Sequence, residues 1–135
     1  MALNNKKLGN SFEIEVCEKL AEYGFWVHAL NQNKSGQPAD VIAVRNKQAY
    51  LIDAKVVSTR RGFTLSRVEE NQDLAMDLWN NQGNGQGWFA LKMEDEIYMI
   101  PHLCMKSYMV RQSTLSVIEI KTLGMSLERW VKKCK

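Results

Sequence analysis

Two short apolar runs, at residues 41–44 and 49–54, constrain the fold of this chain more than any other feature. Each run is too short for an ordinary helix, and each therefore predicts a buried strand. Asn46 and Lys47 stand between the runs and are compatible with a hairpin turn. We therefore expect the two strands to pair in an antiparallel hairpin.

Two amphipathic helices are predicted on either side of this hairpin. Apolar residues recur at every fourth position from Leu8 and predict a helix over residues 8–23, which Gly24 ends. Ser66 and Glu69 match the S-x-x-E capping box, and this match predicts that a second helix runs from residue 66 to about residue 80.

Shorter elements complete the predicted order of helices and strands. The remaining predicted strands are residues 25–30, 88–93, 97–100 and 115–120, and the remaining predicted helices begin at about residue 102 and cover residues 126–133. A central mixed β-sheet flanked by helices, in the α/β class, accommodates this order.

The composition predicts an ordinary globular protein. The chain has 135 residues, of which 45% are hydrophobic and 24% charged, and we expect residues 1–135 to form a single domain. No apolar run approaches the ~20 residues of a membrane span, and no apolar segment follows the N-terminus as in a signal peptide. The expected location is therefore the cytoplasm, with no membrane partner.

Acidic side chains are predicted to meet at the hairpin. Asp40 stands where the polar loop at residues 31–39 enters the first strand, and Asp53 closes the second strand. Antiparallel pairing brings these two residues close together, and Asp53 and Lys55 project to the same face because strand side chains alternate. Two neighbouring carboxylates repel each other, and a hard divalent cation such as Mg²⁺ or Mn²⁺ offsets that repulsion.

A cation at this position suggests hydrolysis of a phosphodiester. The metal can polarise the phosphodiester and lower the pKa of a bound water, and Lys55 can stabilise charge in the transition state. The alternative is that Asp40 caps a turn while Asp53 and Lys55 form a solvated ion pair.

Two polar side chains on apolar helix faces extend the predicted cluster. On a helical wheel Glu13 falls on the same side as Val16, where a carboxylate must pair with another group or bind a metal. Gln72 shares a face with Met76 and is predicted to fix Glu13 or a metal-bound water. The alternatives are that Glu13 reaches water at the edge of the helix and that Gln72 is a satisfied core residue.

Other candidate residues are given an ordinary structural interpretation. The three cysteines have irregular spacings without a CxxC pair, which favours reduced thiols. His28 and His102 have no partner at a metal-ligand spacing, so packing or surface positions are expected for both. The tryptophans are interpreted as core or interface residues rather than base-stacking platforms; they are Trp26, Trp79, Trp88 and Trp130.

The formal net charge of +3 is only mildly basic and does not by itself identify a nucleic-acid-binding protein. Local groups of basic residues are nevertheless available for contacts with phosphates. The predicted DNA-binding residues are Lys6, Lys7, Lys34, Arg60, Arg61 and Arg67. An ordinary solvated surface is the alternative for the terminal lysines.

The motifs built from these residues resemble the Holliday junction resolvases, cellular and phage-encoded, of the PD-(D/E)XK nuclease superfamily. The resemblance rests on Gly9-x-x-x-Glu13, on QPADVIA at residues 37–43 and on LIDAK at residues 51–55. The segments between residues 63 and 101 resemble the RecU-type branch. Asp53 stands where the superfamily commonly has glutamate, and the chain is shorter than typical RecU-type proteins.

The resemblance implies a restriction-endonuclease-like core and an Mg²⁺- or Mn²⁺-dependent endonuclease. The implied partners are four-way DNA junctions and a second copy of the chain, which together allow two symmetric nicks. The implied catalytic residues are Glu13, Asp40, Asp53 and Lys55, with Gln72 in support, and the implied metal ligands are Glu13, Asp40, Asp53 and Ala54.

Other functions remain open on the sequence alone. A nuclease of this superfamily can instead serve restriction or repair, and the same fold can bind DNA without cutting it. A plain interaction protein is the third alternative. The joint presence of Glu13, Asp40, Asp53 and Lys55 favours a nuclease.

Overall fold

A six-stranded mixed sheet with helices on both faces organises the part of the chain that the computed structural model describes, residues 5–30 and 39–134. The strands are β1 (Trp26–Ala29), β2 (Val41–Arg45), β3 (Gln48–Val56), β4 (Phe63–Thr64), β5 (Trp88–Met93), β6 (Glu96–Pro101), β7 (Thr114–Leu115) and β8 (Met125–Ser126). The helices are α1 (Asn5–Glu22), α2 (Glu70–Trp79), α3 (His102–Met109), α4 (Val117–Leu123) and α5 (Leu127–Lys133). The predicted fold class is confirmed.

The strand order in the large sheet is β1-β2-β3-β5-β6-β8. All neighbouring strands are antiparallel except β3 and β5, which run parallel and are joined by a connection that contains α2. β4 and β7 form a separate two-stranded sheet. None of the helices in the described ranges combines the length and the apolar character needed to cross a membrane.

The predicted hairpin is present, and its turn explains its register. Asn46 and Lys47 both adopt positive φ, at 53° and 69°, as a two-residue turn that matches the strand twist requires. Val41 then pairs with Ile52, and the Asp40 N–H donates to the Ile52 carbonyl at 3.1 Å. Asp40 therefore lies beside Asp53, as predicted.

Two apolar layers hold the helices against the sheet. On one face, α1 and α5 contribute Leu20 and Trp130 to a core that includes Ile52 of β3. On the other face, α2, α3 and α4 pack over a second core that contains Leu51 of β3 and Phe89 of β5. Successive residues of β3 thus face opposite helical layers.

The predicted start of the second helix is wrong. α2 begins at Glu70 with Glu69 at its N-cap, and Ser66 lies in the preceding 3-10 turn, Leu65–Arg67. The Gln72 side-chain oxygen accepts a hydrogen bond from the Glu69 N–H at 3.2 Å, which satisfies a backbone donor at the true helix start.

The strand predicted at residues 115–120 is also wrong, because α4 occupies most of that segment. Ser116 caps this helix by accepting from the Glu119 N–H at 3.1 Å, and the Glu119 carboxylate accepts from the Ser116 N–H at 3.0 Å. This reciprocal cap outweighs the strand preference of the β-branched residues at 117, 118 and 120.

One arginine joins β2 to the ends of two helices. The Arg45 guanidinium donates to the Tyr23 carbonyl at 3.0 Å, to the Val131 carbonyl at 2.8 Å and to the Cys134 carbonyl. It also lies over the Phe25 ring, 4.3 Å from the ring centroid. A cation placed at the C-terminal ends of α1 and α5 satisfies their free carbonyls.

We therefore expect Arg45→Ala to destabilise the protein by about 2–4 kcal/mol, because the charge-assisted hydrogen bonds to three helix-end carbonyls are lost together. Urea unfolding followed by circular dichroism measures the change. Arg129→Ala, at an exposed position of α5, serves as the control and should change the unfolding free energy by less than about 0.5 kcal/mol. Equal stability of the two variants would contradict this role for Arg45.

Candidate active site

Three elements bring the predicted acidic residues together. Asp40 comes from the start of β2, Asp53 from β3 and Glu13 from α1. Asp53 has 0% of its surface exposed and Asp40 has 7%, so both carboxyls lie within the fold. Lys55 lies two residues along β3 from Asp53 and therefore faces the same side of the sheet.

Hydrogen bonds from a backbone N–H and from a side-chain amide hold the two aspartates. Asp40 Oδ2 accepts from the Ala54 N–H at 2.8 Å. Asp53 Oδ1 accepts from the Gln72 side-chain amide at 3.1 Å, and its other oxygen, Oδ2, lies 3.2 Å from Lys55 Nζ. One oxygen of each aspartate is thus fixed in place, which orients the other.

Gln72 reaches the site from the opposite helical layer. Its side-chain nitrogen donates to Asp53, while its oxygen accepts from the Glu69 backbone N–H at the start of α2. Both ends of the amide are therefore engaged, and the buried side chain has a single orientation. The sequence predicted Glu13 or a water as its partner, and Asp53 is the partner in the structure.

Burial, together with a neighbouring carboxylate, raises the pKa values of Glu13 and Asp53. The pKa of Glu13 is raised from 4.5 to about 7, first by burial and then by the neighbouring Asp40 carboxylate, against the opposing effect of Lys55. Burial, followed by repulsion from Asp40, raises the pKa of Asp53 well above its ordinary value, and Lys55 again opposes the shift. The metal-free site therefore retains protons that isolated carboxyls would lose.

The residues present fit a divalent cation. Asp53 Oδ2 is buried and accepts no hydrogen bond from the described part of the chain, although the Lys55 ammonium lies 3.2 Å away. Glu13, Asp40 and Asp53 bring up to three negative charges against the one ammonium of Lys55. A hard cation that prefers oxygen ligands would bind the unpaired oxygen and balance the excess negative charge. Ala54, whose N–H already binds Asp40, can offer only its backbone carbonyl.

A second acidic group lies between α2 and α3, and the sequence analysis missed it. Candidate ligand atoms of Asp73, Asp77 and His102 all lie within 4.8 Å of one another, and His102 Nε2 is 2.6 Å from Asp73 Oδ1. The Lys106 ammonium forms ion pairs with both aspartates and already balances part of their charge. We interpret this group as a polar clamp between the two helices. The i, i+4 spacing of the aspartates was its only sequence signal.

The predicted DNA-binding residues are placed unevenly around the site. Arg67 donates to the Val56 carbonyl at 2.8 Å, lies over the Phe63 ring and is near enough to Asp53 to interact with its charge. Arg60 and Arg61 lie in the exposed turn that follows β3. Of the predicted lysines, Lys34 lies outside the described residues, and Lys6 and Lys7 lie on α1 with side chains that are not described.

The aromatic and thiol side chains mostly follow the sequence interpretation. Trp130 is fully buried in the core, Trp79 and Trp88 are half-buried, and Cys17, Cys104 and Cys134 are free cysteines. Trp26 is not a core residue, because 63% of its surface is exposed, and its interpretation as an interface residue stays a prediction.

The raised pKa of Glu13 makes stability depend on pH. Between about 4.5 and about 7 the folded metal-free protein binds more protons than the unfolded chain, so its stability falls as pH rises through this window. We expect the melting temperature in EDTA to fall less steeply over this range in Glu13→Gln than in the wild type. Thermal denaturation at several pH values measures both slopes.

Glu22→Gln, which alters an exposed glutamate of the same helix, is the matched control and should keep the wild-type slope. Excess Mg²⁺ should raise the wild-type melting temperature most at high pH, where protons no longer compete for the carboxylates. Identical pH slopes for the wild type and Glu13→Gln would count against the raised pKa.

Comparisons with known proteins identify a family and a similar fold. A family model described as archaeal Holliday junction resolvase (hjc) matches residues 4–134. No curated protein sequence matches the chain. The structure is similar to that of Archaeoglobus fulgidus Hjc, a Holliday junction resolvase from an archaeal hyperthermophile, with a TM-score of 0.67 and 16% sequence identity.

That structural match covers 91% of this chain and 99% of the Archaeoglobus chain. At this identity it shows a common fold, in which a mixed sheet carries helices on both faces. The family model, by contrast, covers nearly the whole sequence. The chain belongs to the archaeal Holliday junction resolvase family, a family of nucleases that act on DNA.

Proposed function

We propose that this chain is a single-domain, Mg²⁺- or Mn²⁺-dependent endonuclease that resolves four-way DNA junctions. The observation that carries the proposal is the convergence of Glu13, Asp40 and Asp53 beside Lys55. Membership of the resolvase family supports the choice of substrate. An enzyme that acts on DNA, with free cysteines, is suited to the cytoplasm.

Glu13, Asp40 and Asp53 would hold the cation, with the Ala54 carbonyl as a further candidate ligand. When bound, the cation supplies a positive charge that polarises the scissile phosphodiester. Hydrogen bonds from Ala54 and Gln72 keep the aspartates in position without side-chain rearrangement, so Gln72 is a positioning residue. Lys55 provides an ammonium beside Asp53, where it stabilises negative charge that develops on the phosphate.

Arginine and lysine side chains outside the acidic cluster would bind the DNA backbone. Arg67 is fixed by Val56 and Phe63 at the edge of the acidic cluster, so its remaining N–H groups are suited to a phosphate close to the scissile one. Arg60 and Arg61 extend the positive surface on the adjoining turn. We retain Lys6, Lys7 and Lys34 as proposed backbone contacts on charge alone.

We also propose a homodimer formed through α2 and α3. Leu74 and Leu78 lie one turn apart on α2 and expose 58% and 57% of their surface, and Leu103 of the neighbouring α3 is also exposed. Apolar side chains grouped in this way gain free energy when a second copy covers them. A two-fold dimer would present two active sites to opposing strands of a junction.

Asp53→Asn tests the nuclease directly, because it removes the charge and retains the shape of the side chain. We expect the rate of junction cleavage to fall by more than about 100-fold, while junction binding changes little. The assay incubates a synthetic mobile four-way junction with the protein, with and without Mg²⁺, and resolves the products on a denaturing gel.

Asp95→Asn, in the exposed β5–β6 turn, is the control and should cleave normally. Normal cleavage by Asp53→Asn would refute its role. Equal cleavage of the junction and of a linear duplex of the same sequence would refute junction selectivity.

The dimer is tested by placing a charge on the exposed leucines. We expect Leu74→Glu combined with Leu78→Glu to sediment as a monomer, because each buried leucine contributes roughly 1.5–3 kcal/mol to a contact of this kind. Analytical ultracentrifugation measures the association. Ile118→Glu, which alters an even more exposed apolar side chain on α4, should remain dimeric. A monomeric wild type would contradict the dimer itself.

A further inference from the structure

β1 carries an exposed pair of aromatic rings. Trp26 exposes 63% of its surface, and His28, two residues further along the strand, is also exposed. The two rings stack on each other, with centroids 6.0 Å apart and planes inclined by 10°. A tryptophan gains free energy from burial, so a flat, open surface of this kind is suited to a partner that covers it.

The strand register places this pair on the face of the sheet that carries Asp53. His28 pairs with Ile42, which pairs with Leu51, so these three side chains lie on one face. Asp53 and Lys55 follow Leu51 at two and four residues along β3 and share that face. Val27, between the two rings, points the other way and packs in the core beneath α1.

The distance from the rings to the acidic cluster follows from strand geometry. With strands about 4.8 Å apart and a rise of about 3.3 Å per residue, the backbone of His28 lies roughly 12 Å and that of Trp26 roughly 17 Å from Asp53. Successive nucleotides of a duplex strand rise by about 3.4 Å along the helix axis. The pair therefore lies roughly three to five nucleotide steps from a phosphate held at Asp53.

We propose that Trp26 and His28 form a stacking platform for a nucleobase at the branch point of the DNA, a platform that rests on the nuclease function proposed above. Every base of a continuous duplex has both ring faces covered by its neighbours. A branch point interrupts this stacking and leaves a ring face open, which an exposed indole can cover. Phosphodiester hydrolysis is the same reaction in linear and in branched DNA. The platform would therefore give the enzyme its preference for branched DNA.

Variants of Trp26 test this proposal in the full-length protein. The probe is a four-way junction with 2-aminopurine at the branch point, bound in Ca²⁺ so that binding is separated from cleavage. Stacking on an aromatic ring quenches this fluorophore, and we expect the wild type to quench it. Trp26→Ala should lose the quenching and bind the junction about 5- to 150-fold more weakly, with a smaller change for linear duplex.

Two substitutions separate stacking from general apolar contact. Trp26→Phe retains a flat ring and should keep most of the quenching, whereas Trp26→Leu retains only apolar surface and should behave as Trp26→Ala does. His28→Ala, like Trp26→Ala, should weaken junction binding. Val110→Ala, at an exposed apolar position after α3, is the control and should bind as the wild type does.

The platform is refuted if Trp26→Ala keeps its melting temperature and binds the junction as tightly as the wild type. It is equally refuted if Trp26→Leu matches Trp26→Phe, or if Trp26→Ala changes a dimer into a monomer, since the surface would then bind a second copy. If the wild type still cleaves junctions in these cases, the proposed nuclease function is unaffected. A wild type that neither binds nor cuts junctions removes both proposals.

Discussion

The register between β2 and β3 is the constraint on which the rest of the site depends. Val41 opposite Ile52 places Asp40 beside Asp53, and the Asp40 N–H bonds to the Ile52 carbonyl at 3.1 Å. A slip of one residue would turn Asp53 and Lys55 into the layer beneath α1 and separate them from Gln72. A two-residue surface turn thus determines the geometry of a buried group of charges.

The acidic cluster lowers the free energy of unfolding of the metal-free protein, because it places carboxylates close together inside the fold. Burial and mutual repulsion raise the pKa values of Glu13 and Asp53, which means that their ionised forms are unfavourable in the metal-free protein. Hydrogen bonds from the Ala54 N–H and from Gln72, together with Lys55, offset part of that cost. The acidic group therefore carries a free-energy cost that a bound cation, as proposed above, would recover.

Sequence periodicity predicted the hairpin, α1 and the acidic residues because each of these depends on local pattern and short spacing. The S-x-x-E match at Ser66 does not cap a helix, whereas Ser116, which the sequence analysis placed in a strand, caps α4, because tertiary packing decides which capping box forms. Strand alternation likewise did not reveal which face of β1 stays open, so the exposure of Trp26 was missed. The contact between Asp73 and His102 joins residues far apart in sequence, and no local pattern encodes it.

The parallel pairing of β3 with β5 has a consequence for how the protein acquires activity. Parallel neighbours need a long crossover, and that crossover contains α2, the helix that delivers the Gln72 amide to Asp53. The contact between Gln72 and Asp53 forms only after the crossover between β3 and β5 has folded back onto the sheet, and non-local contacts of this type form slowly. A newly synthesised or partly unfolded polypeptide therefore lacks the assembled acidic group, and the proposed catalytic centre exists only once the fold is complete.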